Sequence, residues 1–74
     1  MAIDFGTLLT DEQRVEILSS KIQQFAAEGY QHTLNRKVLE DAGNEQGVAE
    51  IDNAIQMLNV LIASYQEELA SLTK

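Results

Sequence analysis

Cysteine, proline and tryptophan are all missing from this chain, and only five of its 74 residues are lysine or arginine. Without cysteine there is no disulfide and no thiolate metal site, a composition that suits a reducing compartment. Without proline, and with only four glycines, no stretch reads as a linker between domains. The opening residues, MAIDF, lack the positive and apolar regions of a secretory signal. The longest apolar run falls far short of the roughly 20 residues that span a bilayer. The expectation is a soluble protein of the cytoplasm.

The scarcity of bases is uneven. They are Arg14, Lys21, Arg36, Lys37 and Lys74, so residues 38–73 carry acids and no base, and the formal net charge is −7. Nucleic acid and anionic membrane both require a neutralising basic surface, so neither is expected as a partner. A chain this short folds as one domain and buries only about 60% of its unfolded surface, which leaves it marginal unless something adds core. With disulfides and thiolate metal sites excluded, oligomerisation is the main remaining addition.

What the sequence does contain is helical periodicity. Thr10-Asp11-Glu12-Gln13 fits a capping box, with acids in the first turn where they complement the helix dipole. From there Val15, Leu18, Ile22 and Phe25 recur at alternating spacings of three and four, and Gly29 occupies the next seam slot. Beyond Gly29 two continuations compete. The heptad leads to His32, Arg36 and Leu39, whereas Tyr30, Leu34 and Val38 extend an i,i+4 row. Gly43 suits a left-handed helix end and Asn44 the cap of a second helix. In that helix Val48, Ile51, Ile55, Leu58, Ile62, Tyr65, Leu69 and Leu72 form an unbroken a/d heptad.

The fold expected is therefore all-α: an antiparallel two-helix coiled-coil hairpin, with helices at about 11–42 and 45–73. The domain is 10–74, preceded by an N-terminal arm, 1–9. Folding at Gly43-Asn44 pairs Val15 with Leu72, Leu18 with Leu69, Ile22 with Tyr65, Phe25 with Ile62 and Gly29 with Leu58. Gly29 inside a helix costs about 1 kcal/mol relative to alanine, which suggests that its missing side chain makes room for Leu58 or for a partner.

A hairpin uses only the a/d stripe of its second helix, yet Met57, Val60 and Leu61 lie at c, f and g positions. Burying each such side chain is worth about 1.5–3 kcal/mol, so a cover is expected. One cover is the arm itself, folding back to lay Ile3, Phe5 and Leu8 over the patch. The other, which is favoured, is a second copy of the chain, with hairpins packing into a four-helix bundle or a larger ring.

The chemistry-bearing residues do not assemble into a catalytic pattern. Glu28 and His32 share a helix face, but the facing stretch offers only Asp52, so no metal site is expected. Residues 41–52 have the length of a calcium loop, but Gly43 and Gln46 occupy its third and sixth positions. The serines have one His32 between them and no glycine-framed elbow, and there is no phosphate-binding loop. The chain is expected to be neither an enzyme nor a cofactor protein.

One polar stretch offers an alternative. QHTLNRK, residues 31–37, concentrates positive charge near the turn, and Tyr30, His32, Arg36 and Lys37 would suit an anionic small ligand. The competing expectation is that Arg36 pairs with Asp52 and Lys37 with Glu50 across the hairpin.

The stretch LLTDEQRVEILSSKIQQFAAEGYQHTLNRKVLEDAG, followed by a short turn and a regular heptad helix, resembles the small acidic helical hairpins that phages encode as virion, assembly or accessory proteins. The resemblance implies a structural or assembly role, carried out in the cytoplasm or in a virion assembled there. Together these readings lead to a non-enzymatic module that self-associates through apolar helix faces. The alternative is a small regulatory or sequestering protein that binds an anion or a protein partner through residues 30–37.

Overall fold

The computed structural model describes residues 2–73. A short 3-10 turn, Phe5–Leu8, precedes two long α-helices, α1 over Asp11–Asp41 and α2 over Glu45–Leu72. They pack against each other as an antiparallel hairpin measuring 50 × 26 × 16 Å. Each helix ends one residue earlier than its periodicity suggests, at the point where the capping geometry takes over.

Local sequence fixes the helix ends. Thr10 Oγ1 accepts from the Gln13 backbone N–H at 3.1 Å, and Gln13 Oε1 accepts from the Thr10 N–H at 2.9 Å, completing the reciprocal cap. At the turn, Gly43 adopts φ 74°, the left-handed conformation that side chains disfavour. This lets the Asn44 N–H reach the Leu39 carbonyl at 2.9 Å and the Gly43 N–H reach that of Glu40 at 3.0 Å, a Schellman closure of α1. Asn44 then opens α2, its Oδ1 accepting from the Gly47 N–H at 2.9 Å. One residue thus closes one helix and starts the next, so the hairpin needs almost no loop.

Along α1 the heptad wins over the i,i+4 row. His32, Arg36 and Leu39 are half-buried on the seam, while Tyr30, Leu34 and Val38 are exposed. The seam of α1 therefore turns polar in its second half, where Gly29, His32 and Arg36 replace apolar residues. On α2 the heptad residues Val48 to Leu72 all face inward, and Leu58 is the single buried side chain among the described residues.

The register is close to that expected from folding at Gly43-Asn44. Gly29 lies opposite Leu58, and Arg36 reaches Asp52. One contact was not among the expected pairs: Phe25 stacks on Tyr65, with ring centroids 5.8 Å apart and planes 9° from parallel. The two rings are the largest apolar side chains on this part of the seam, and stacking removes more surface than setting each against an isoleucine.

Candidate functional site

The residues available for function lie on the outside of the hairpin. A helix turns about 100° per residue, so positions b, c and f face away from an a/d seam. On α2 that outward surface carries Met57 and Val60, exposed at 63% and 59% beside Asn53 and Gln56. Leu61 departs from the expectation. It is half-buried, as a g position flanking the seam would be. The outward patch of α2 is thus Met57 and Val60, with Leu61 belonging to the hairpin.

The arm does not cover this patch. Asp4 caps the 3-10 turn, its Oδ1 accepting from the Gly6 N–H at 3.0 Å, and the Thr7 hydroxyl donates to the Asp4 carbonyl at 2.8 Å. These bonds shape the turn within the arm, which lies at the open end of the hairpin, where Leu9 and Gly6 border a shallow hollow with Ile17, Leu18 and Leu72. Ile3, Phe5 and Leu8 point outward and are exposed at 65–72%. The fold-back reading is therefore corrected: Ile3, Phe5 and Leu8 are themselves exposed, and Met57 and Val60 stay uncovered.

Sequence periodicity also undervalued a second stripe. Tyr30, Leu34 and Val38 fall on the back of α1, directly away from α2, and are exposed at 65%, 47% and 66%. The signal was the i,i+4 row itself, which marks an apolar helix face even when that face is not the hairpin seam. The two backs lie on opposite narrow edges of the molecule.

The four residues considered for an anionic ligand do not converge. Tyr30 and Lys37 occupy the outer surface of α1, whereas His32 and Arg36 turn into the seam. Arg36 is also occupied. Its Nε donates to Asp52 Oδ1 at 2.6 Å, its Nη2 to Asp52 Oδ2 at 3.4 Å and its Nη1 to Glu40 Oε2 at 2.7 Å. The hydrogen bond to Asp52, then the charge of that carboxylate, raise the Arg36 pKa above its ordinary value, and Glu40 adds to the effect against partial desolvation. The expected Lys37–Glu50 pair does not form; Lys37 is exposed and makes no ion pair among the described residues. Its b position points away from α2, beyond reach of the facing helix.

His32 is half-buried on the seam, where the heptad continuation places it. Among the described residues no group of three or more acidic or histidine side chains is arranged to hold a metal, and no helix is long and apolar enough to cross a membrane.

Compared with protein families, curated proteins and solved structures, the chain finds no match.

Proposed function

We propose that this protein is a self-associating structural or assembly module, whose working parts are the apolar backs of its helices. The observation that carries the reading is the poverty of the interior. A single side chain, Leu58, is buried among the described residues, while nine large apolar side chains lie exposed. Isolated exposed apolar residues are ordinary, but aligned stripes on two helix backs mark contact surfaces. Burying Met57 and Val60 is worth about 1.5–3 kcal/mol each, large against the few kcal/mol that a domain of this size achieves alone.

Charge supports the same class of role. A net charge of −7 disfavours nucleic acid as the partner. The hairpin's likeness to phage-encoded virion and accessory hairpins suits a module that builds or joins an assembly. The test is absolute mass in solution, by light scattering after size exclusion, for the wild type and for a Met57→Gln, Val60→Gln variant. The reading expects a wild type of more than one chain and a smaller variant of unchanged helical content. A wild type of one-chain mass at all accessible concentrations overturns it.

A further inference from the structure

The proposed self-association leaves open which surface meets which, and the two stripes and the charge distribution decide between the possibilities. Helix α2 carries five acids, Glu45, Glu50, Asp52, Glu67 and Glu68, and no base. Of these only Asp52 takes part in an ion pair among the described residues. Helix α1 also carries acids, Asp11, Glu12, Glu16, Glu28, Glu40 and Asp41, but unlike α2 it holds bases too, Arg14, Lys21, Arg36 and Lys37. Arg14 and Arg36 are engaged with acids of their own chain, whereas Lys21 and Lys37 are exposed and make no ion pair among the described residues. Lys37 sits between Leu34 and Val38, within the α1 stripe.

Three pairings are conceivable. Back-to-back contact of two α2 helices sets an all-acidic helix against its copy and leaves the α1 stripe of both chains in water. Like charges brought together across an interface oppose it. Back-to-back contact of two α1 helices leaves Met57 and Val60 exposed on every chain unless the like-charged α2 contact is made as well. Contact of α2 from one copy with α1 from the next covers both stripes with one kind of contact and sets Lys37, an unpaired base within the α1 stripe, against a helix that carries acids and no base.

We propose that the chains associate head to tail: the α2 back, at Met57 and Val60, seats on the α1 back of the next copy, at Tyr30, Leu34 and Val38. This rests on the self-association proposed above. Because the two backs lie on opposite edges of the hairpin, each copy retains one free back after pairing. The contact therefore propagates, closing into a ring if the rotation between copies allows and otherwise extending as a filament. A dimer cannot satisfy it.

The experiment uses two full-length variants, one carrying Leu34→Gln and Val38→Gln, the other Met57→Gln and Val60→Gln. All four sites are exposed and glutamine is a good helix former, so circular dichroism should show unchanged helix. If either loses helix, the corresponding alanine pair replaces it. Light scattering is then read on the wild type, on each variant and on their equimolar mixture.

The expected result is a wild type larger than a dimer, each variant alone a monomer, and a mixture that forms a species of two chains and stops. The mixture is diagnostic, because each variant retains the back the other has lost. A variant that keeps the wild-type mass, a mixture that stays monomeric, or a wild type that stops at a dimer overturns the head-to-tail contact while leaving self-association standing. A monomeric wild type overturns both.

Discussion

Arg36 reaches across the hairpin to Asp52, its Nε donating to Oδ1 at 2.6 Å, while its Nη1 holds Glu40 on its own helix at 2.7 Å. An arginine at a seam position is poor packing, and its use here is directional. The bidentate guanidinium fork fits Asp52 in one register of the two helices and no other.

Removing the acid tests that role. Asp52→Ala leaves Arg36 on the seam with only Glu40, and the variant is expected to unfold at lower denaturant than the wild type. Because the side chains are partly exposed, at 37% and 50%, the difference should shrink in about 1 M salt, where the screening length falls to about 3 Å. A raised Arg36 pKa contributes stability that is fully present below the ordinary guanidinium range and is lost only as pH rises through the still higher folded value. The Arg36 guanidinium itself should therefore add no pH dependence near neutrality. Equal stability of Asp52→Ala and wild type at low salt sinks the register role.

Two helical glycines should respond in opposite directions to the same change. A Cβ on Gly29 would lie 3.8 Å from Leu58 Cδ1, an ordinary contact, so no steric demand keeps this residue a glycine. Gly29→Ala is expected to stabilise the hairpin by about 1 kcal/mol in chemical denaturation. A Cβ on Gly47 would lie 2.9 Å from Asn44 Nδ2 and 3.1 Å from Leu39 Cδ1. Displacing the Asn44 cap costs about 0.5–2 kcal/mol, and pushing Leu39 off its rotamer about 0.5–1.5 kcal/mol, which together outweigh the gain in helix propensity. Gly47→Ala should destabilise.

The turn gives a third measurement. With φ at 74° and nothing within 4 Å of a would-be Cβ, Gly43 is required by backbone conformation alone. Gly43→Ala is expected to cost roughly 1–2 kcal/mol from the left-handed strain. Gly43→Asn should recover part of that, since asparagine tolerates this region better than alanine.

The hairpin was legible in the sequence because its determinants are local: the Thr10–Gln13 box, the Gly43-Asn44 turn and the eight-residue heptad from Val48 to Leu72 each announce themselves within a few residues. The second half of α1 was not. There the seam carries Gly29, His32 and Arg36, and the more apolar row at Tyr30, Leu34 and Val38 belongs to the outside. Hydrophobicity identifies a buried face only when burial is completed within one chain. The α1 row was therefore easy to misplace and the α2 patch easy to find, since the regular heptad of α2 left Met57 and Val60 visibly outside it. Leu61 and the Phe25–Tyr65 stack depend on side-chain size and flank geometry, which periodicity does not encode.

Leu58 ties the packing of one chain to the stability of the assembly. It is the single side chain below a tenth exposed among the described residues, at 7%, and Leu58→Ala is expected to cost about 2–5 kcal/mol. Gly29 faces the space that truncation opens, so Gly29→Ala combined with Leu58→Ala should lose less than the sum of their separate effects, a coupling expected only of residues in contact. In a self-associating protein the same melts carry a second reading. Association stabilises the folded chain by mass action, so the wild-type Tm should rise with protein concentration. In Met57→Gln, Val60→Gln, with the interface removed and Leu58 intact, it should stay flat. A wild-type Tm that ignores concentration contradicts the proposed assembly, whatever Leu58→Ala does to the hairpin.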